Sequence, residues 1–337
     1  MPVFSILTPT YNHENFLEVC IRSAISQTFQ DWEMIILDDG SADRTGDIAL
    51  QWAAQEKRIR YCHQENKGID SLAETYNTGL SMAQGRYICI LEGDDLWKPD
   101  KLQRQFDILE NHPEVIVTWG RAEALVSDTS TIERISPPHG IPDDPGWPNQ
   151  PPGVVLNQLY IENMIPAVTL AIRKSALQVI GGFKQPTGFP TTDLPTLADL
   201  ALRGAFFFDR EILAQWRIYS SQTTKRYLVE MVKSRWQFVR EHLEKLDPPY
   251  RANLRISTRD IDRHFHSRLM IAYASSGRYR LIRKEFREAR KDYSRAIFYP
   301  GARNFAWRIR AIIGWVFSLF HWNVEALTRK LGKISYQ

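Results

Sequence analysis

The segment "ICILEGDDLWKPD", residues 88–100, runs four apolar residues straight into Glu92, Gly93, Asp94 and Asp95. Carboxylates this close repel one another, so folding alone gives no reason to gather them. Two readings account for the cluster: a solvated turn that caps the next helix, or a set of oxygen ligands for a hard divalent cation. Mg²⁺ and Mn²⁺ favour one or two carboxylates together with substrate phosphates, and a cation cancels the repulsion. Glu92 and Asp94 stand across a glycine kink with Asp95 beside them, which favours the cation. A second acidic pair, in "DDGSAD" (38–43), also ends an apolar run. It reads as a tight turn at Gly40 with Ser41 or Asp43 capping a helix, or as a site where Asp39 accepts a hydrogen bond from a base or ribose.

The elements that carry these residues alternate regularly over the first 120 positions. Apolar runs at 3–8, 33–38, 59–63, 86–91 and 115–120 read as strands, the first ended by Pro9. Helical spacing at 15–27, 43–55, 71–84 and 99–112 separates them. Continuous apolar strands joined by helices predict an α/β fold with a mostly parallel sheet covered on both faces. Ligands of such sheets bind beyond the carboxyl ends of the strands. Four features fall there: "TPTYN" (8–12), "DDGS" (38–41), "ENKG" (65–68) and "EGDD" (92–95).

Residues 136–153 hold seven prolines and form no regular element, as expected of a lid or mobile segment. Beyond them, 166–183 reads as strand, short helix and glycine stop, and 192–204 as a helix ending at Gly204. "AFFFD" and "ILAQWRI" read as a strand pair closing the sheet. Residues 260–296 suit a helical hairpin turning at Gly277. The net charge is −9 over 1–120, −2 over 121–224 and +15 over 225–337, so the rear of the chain favours an anionic partner. The three cysteines, Cys20, Cys62 and Cys89, fit no disulfide or zinc pattern. With no signal peptide and no long apolar span, a cytoplasmic setting is expected.

In order and at expected intervals, "SILTPTYNHENFLEVCIRSAISQTFQDWEMIILDDGSADRT", "ENKG", "AQGRYICILEGDD" and "IGGF" resemble the family 2 nucleotide-sugar glycosyltransferases of GT-A fold, over roughly residues 3–220. The resemblance implies a Rossmann-like domain over 1–224, with a nucleotide half (1–120) and an acceptor half (121–224), followed by a basic helical extension (225–337). It implies that Pro9, Thr10 and Tyr11 line the base pocket and that Asp39 contacts the base with support from Asp38. Lys67, Gly68 and Gly93 join that nucleotide site. "EGD" (92–94) stands where the family has Asp-X-Asp, so Asp94 is the expected ligand of Mn²⁺ or Mg²⁺. Glu92, longer by a methylene than the usual Asp, acts through the sugar or through water, and Asp95 beside it, near donor and metal, reads as a structural turn residue rather than a ligand. Asp193 falls at the position of the general base of an inverting transfer; without the family it reads as a helix N-cap.

Several positions depart from the family pattern. Thr192 replaces the acid that usually precedes the base, and Tyr76 stands where Arg is frequent. The 65–79 segment is about three residues longer than is common, and Tyr219 replaces a frequent His. "QWRIY" has the letters of the processive QxxRW signature at the wrong spacing, so transfer of a single sugar is expected. The implied donor is a nucleotide sugar, UDP-linked by expectation, and the acceptor a saccharide, lipid-linked in one version. Residues 304–322, rich in Trp and Phe and flanked by Arg303, Arg308 and Arg310, read as an in-plane helix on an anionic membrane, or as a homodimer contact. No nucleic-acid-binding motif accompanies the charge. The rival readings are a nucleotidyltransferase, which lacks its glycine-rich phosphate loop here, and a nucleotide-sugar-binding protein with a decayed catalytic site.

Overall fold

The computed structural model describes residues 1–127, 130–138, 153–219, 227–301 and 304–322. Most of the proline-rich 136–153 loop therefore lies outside the described residues, as does Arg303. The chain divides into two units, one made of Met1–Ile218 with Asp247–Leu254, the other of Tyr219–Leu246 with the chain from Arg255 onward.

The first unit opens with β1 (Phe4–Thr10), α1 (Leu17–Ile25), β2 (Trp32–Asp38), α2 (Thr45–Gln55), β3 (Ile59–His63), α3 (Leu72–Met82), β4 (Tyr87–Ile90), β5 (Leu96–Trp97) and α4 (Lys101–Asn111). It continues with β6 (Val115–Val126), β7 (Thr131–Ser136), α5 (Leu156–Ile161), β8 (Ala171–Arg173), α6 (Lys174–Val179), α7 (Asp193–Leu200) and β9 (Ala205–Ile218). The strands form one sheet in the order β3-β2-β1-β4-β8-β6-β9-β5, with β7 added to β6. β1 to β4 are mutually parallel, while β8 runs antiparallel between β4 and β6. The parallel part is buried on both faces because its strands are apolar at consecutive positions. Phe4, Ile6, Met34 and Ile36 join the core that includes Leu17 and Ile21 of α1 and Ala49 of α2. Leu7 and Leu37 project the other way onto α3, where a Cβ on Gly79 would lie 2.6 Å from Leu37 Cδ1. Each fully buried Leu or Ile contributes about 1.5–3 kcal/mol.

Two strand expectations change. β1 runs through Pro9 to Thr10, because the β1–β4 ladder ends at the Leu7–Ile90 pair and leaves no acceptor waiting for the missing N–H. "AFFFD" and "ILAQWRI" are one strand, not a pair. Its register on β6 jumps from Gly120–Asp209 to Arg121–Ile212, and Arg210 and Glu211 form the irregularity. Asp209 anchors that point by accepting from Arg104 Nε at 2.7 Å and Nη2 at 2.9 Å.

The short α9 (Pro248–Ala252) belongs to the first unit; the second is built from α8 (Leu228–Lys245), α10 (Thr258–Ile282), α11 (Phe286–Ile297) and α12 (Phe305–Leu319). Ser257 starts α10 with a capping box on Asp260. The predicted turn at Gly277 does not occur there. α10 passes through Gly277 and the chain turns at Lys284, whose φ is +64°. Gly277 serves packing instead, since a Cβ there would lie 2.8 Å from Tyr293 Cδ1 of α11. Tyr293 sits in a core with Leu269, Met270, Tyr273, Leu281 and Ala311. All three cysteines are free thiols. Among the described residues no helix is long and apolar enough to cross a membrane.

Candidate active site

The parallel strands end at one level, and backbone hydrogen bonds align the loops that follow. The Asp39 N–H donates to Thr10 O at 2.9 Å and the Gly93 N–H to Pro9 O at 3.0 Å. Gly93 is required by close approach, because a Cβ would lie 2.5 Å from Thr10 Oγ1 and 2.9 Å from His13 Nδ1. Asn12 takes a left-handed φ of +55° and locks "TPTYN" to "DDGSAD". Its N–H donates to Ser41 Oγ at 2.9 Å, and its Oδ1 accepts from the Ala42 N–H at 2.9 Å. Pro9 and Thr10 are buried in this layer, while Tyr11 is exposed.

The acidic pair at β2 is divided in its work. Buried Asp38 accepts from the Ser41 N–H at 2.9 Å and from Tyr61 Oη at 2.8 Å, so it shapes the turn. Asp39 accepts from Gln64 Nε2 at 2.6 Å and the Lys67 N–H at 3.0 Å through Oδ1, and from the Gly68 N–H at 3.1 Å through Oδ2. A carboxylate offers about four lone-pair sites, so room for one more donor remains. Gly68 enables this wrap with a φ of +73°. Lys67 enters through its backbone; its ammonium pairs with Glu74 at 3.1 Å. α2 is capped by neither Ser41 nor Asp43 in the N-cap position, which Arg44 occupies, although Asp43 accepts from the Thr45 N–H at 3.0 Å.

Beyond β4, ligand oxygens of Glu92, Asp94 and Asp95 lie within 4.8 Å of one another. Asp94 and Asp95 are only 9 % and 4 % exposed. Asp95 turns inward, and its Oδ1 accepts from the Arg217 N–H of β9 at 2.9 Å. Tyr76 Oη of α3 donates to Glu92 Oε1 at 3.0 Å. Burial, followed by the charges of Asp94 and Asp193, pushes the Glu92 carboxyl up to about 8. Burial, then Asp94 and Glu92, raises Asp95 well above the carboxylate range, against the pull of Arg217. The acids thus destabilise one another's charged forms, as expected of oxygens gathered for a cation. Three hard carboxylate donors this close fit Mg²⁺ or Mn²⁺.

Asp193 is the first residue of α7, with Thr192 at the N-cap, so the N-cap expectation is off by one position. Burial lifts its carboxyl to about 6, opposed by a hydrogen bond from Thr192. Its charge contributes to raising both Tyr76 and Glu92, and contacts tie α7 to the cluster: Thr196 Oγ1 accepts from the Lys184 N–H at 2.9 Å, next to Phe183, on whose ring Tyr76 stacks. The tips of β1, β2 and β4 and the start of α7 therefore bring the sequence-predicted residues to one end of the sheet. Gln64, Arg217 and the bonding role of Tyr76 were not anticipated. The only local signal was the unusual Tyr76 itself.

Comparisons with known proteins bear on the family and the fold. The profile described as Glycosyl transferase family 2 matches residues 5–180. An uncharacterized glycosyltransferase of Rickettsia prowazekii is 30% identical over 232 residues, 68% of this chain and 68% of that protein. TuaG of Bacillus subtilis, named for teichuronic acid biosynthesis, is 28% identical over 247 residues, covering 73% of this chain and 90% of its own. Among solved structures, S. aureus TarS 1-349 in complex with UDP-GlcNAc superposes with a TM-score of 0.57 at 12% identity, over 100% of this chain and 93% of that one. Mannosyltransferase PcManGT from Pyrobaculum calidifontis, in complex with GDP-Man and Mn2+, also gives 0.57, at 17% identity over 95% and 88%. The fold is that of these GT-A-like structures, and the chain belongs to glycosyl transferase family 2.

Proposed function

We propose that the protein transfers a single sugar from a nucleotide-sugar donor, UDP-linked in the first instance, to a saccharide acceptor with inversion, in the making of a cell-surface polysaccharide or glycoconjugate. The observation that carries this reading is the set of three carboxylates within 4.8 Å at the tip of β4, with Asp193 near enough to bear on Glu92. TuaG's name and the UDP-GlcNAc and GDP-Man of the structural neighbours support the class of donor and product.

In this reading Pro9, Thr10 and Tyr11 border the base, and Asp39 offers its remaining lone pair to a base N–H. Asp38, Gly68 and the Lys67 backbone hold Asp39 in place, and Gly93 lets the acidic loop close against Thr10. Asp94 and Asp95 would hold Mn²⁺ or Mg²⁺, with Glu92 on the donor side of them. Bound there, the cation supplies charge compensation for a departing diphosphate. Asp193 takes the proton from the acceptor hydroxyl as that oxygen attacks the anomeric carbon from the face opposite the diphosphate. Its raised pKa brings it closer to the working pH of a general base.

Asp193→Asn should lower transfer by about 10²–10⁴-fold, the usual worth of a positioned base, while nucleotide-sugar affinity stays within twofold. Asp94→Ala should abolish the rise in melting temperature that Mn²⁺ gives the wild-type protein. A fully active Asp193→Asn variant would place the base elsewhere.

The acceptor is lipid-linked in this proposal, because α12 presents Phe305, Ile309, Ile312, Ile313, Val316 and Leu319 at 38–73 % exposure. The aromatics expected to do this do not all do so: Trp307, Trp315 and Phe317 pack on the core of their own unit. Arg308 also turns inward, donating to Ile297 O at 3.2 Å and Tyr299 O at 2.7 Å. Arg310 remains exposed beside the apolar face. Such a face suits an in-plane helix on an anionic cytoplasmic leaflet.

A further inference from the structure

Tyr76 has no exposed surface. Its ring stacks on Phe183, centroids 4.9 Å apart and planes 28° apart, and its hydroxyl donates to Glu92 Oε1 at 3.0 Å. Phe183 is itself fixed to α3: its N–H donates to Asn77 Oδ1 at 2.8 Å, and its carbonyl accepts from Asn77 Nδ2 at 3.0 Å. A Cβ on Gly182, whose φ is +87°, would collide with the Asn77 side chain. One residue on, the Lys184 N–H donates to Thr196 Oγ1 of α7 at 2.9 Å. Gln185 then returns to the start of α3, accepting from the Ala73 N–H at 2.8 Å and donating to Ile69 O at 2.6 Å. Residues 182–185 thus join the helix that carries Tyr76 to the helix that begins with Asp193.

Glu92 is gathered with Asp94 and Asp95, their ligand oxygens within 4.8 Å of one another. It is also joined to the helix that begins with Asp193, through Tyr76, Phe183 and the Lys184–Thr196 hydrogen bond. In the glycosyl-transfer reading the transferred sugar has to meet both groups, since its anomeric carbon is bonded to the diphosphate and attacked by the oxygen that Asp193 deprotonates. The tyrosine hydroxyl has one proton to donate, and it is spent on Oε1. Among the described residues Oε2 accepts no hydrogen bond. A carboxylate oriented in this way, and partly neutralised by its donor, is a poorer cation ligand and a better-aimed acceptor.

Resting on the glycosyl-transfer reading above, we propose that Tyr76 is a positioning residue that sets donor-sugar selectivity: it pins Glu92 so that Oε2 accepts from one hydroxyl of the transferred sugar, and leaves the cation to Asp94 and Asp95. A donor whose hydroxyl at that carbon points the other way leaves a partly buried acceptor unpaired, which is how a site built for a hydroxyl discriminates.

The test is calorimetric binding by the full-length protein, with Mn²⁺, of UDP, UDP-glucose, UDP-galactose, UDP-GlcNAc, UDP-GalNAc, GDP-mannose and GDP-glucose. Wild-type protein should prefer one member of an epimeric pair, and Tyr76→Phe, which keeps the ring on Phe183, should shrink that preference about tenfold, the worth of one buried hydrogen bond. Affinity for the free nucleoside diphosphate, and the Mn²⁺ concentration giving half-maximal binding, should not move. Glu92→Asp, too short to reach the hydroxyl, should lose the same preference, and the double variant should be no worse than either single one. Retention of wild-type discrimination by Tyr76→Phe would overturn the proposal, as would a weakened Mn²⁺ requirement for UDP itself. Should Tyr76→Phe fail to fold, retained discrimination in Glu92→Asp overturns it equally. Wild-type protein that binds no nucleotide sugar would remove the glycosyl-transfer reading, and this inference with it.

Discussion

Burial is the largest cause of the raised carboxyl pKa at both Glu92 and Asp193, yet the two have different consequences. As the proposed base, Asp193 acts only when ionised, and burial raises its carboxyl to about 6. Transfer measured as kcat/KM should therefore be level above that pH and fall about tenfold per pH unit below it. A profile flat down to pH 5 would contradict the assignment. For Glu92 the partner matters more than the proton. That Asp94 stands at a strand tip and Asp193 near a helix start was legible because both are local patterns, while the roles proposed for them came from the family resemblance. The Tyr76–Glu92 and Asp95–Arg217 bonds were not, since their partners stand 16 and 122 residues apart and meet only once the sheet has formed.

At the scale of elements, the parallel half of the sheet follows from composition: continuous apolar runs leave a strand no solvent face. The loops at its carboxyl end depend on contacts that periodicity does not encode. Gly93 is an example, read from sequence as a kink and a nucleotide contact, and found pressed against Thr10 and His13. Gly93→Ala should displace the 92–95 loop, weaken Mn²⁺-dependent nucleotide binding at least tenfold and cost about 1–3 kcal/mol in stability, as overpacking does. Unchanged binding in that variant would mean that the loop does not need its present position. The same limit explains the other revisions. Nothing local says that Gly277 lies within a helix, because its partner is the ring of Tyr293 from the next helix. The single strand β9 hides its irregularity at Arg210 and Glu211, which break the apolar run and mimic a hairpin turn.

Across the whole molecule, charge separates along the chain, −9 in the first 120 residues and +15 from residue 225. The acidic front carries the site, and the basic rear carries the exposed apolar face of α12. Full-length protein should co-float with phosphatidylglycerol vesicles, and an Ile312→Asp, Ile313→Asp variant should not, with each nearby cation adding about 1 kcal/mol at low salt. Equal flotation of both would remove α12 as the contact, and a dimer on gel filtration that the same variant dissolves would assign the face to a second copy.

Transfer chemistry at the β4 tip is tested most directly by incubating the wild-type protein with a panel of nucleotide sugars and measuring released nucleoside diphosphate, with Mn²⁺ and with EDTA. The expected result is release from at least one donor that requires the metal, rises with a saccharide acceptor and vanishes in Asp94→Ala. Release that persists in EDTA and in Asp94→Ala, or no release from any donor despite metal-dependent UDP binding, would contradict it.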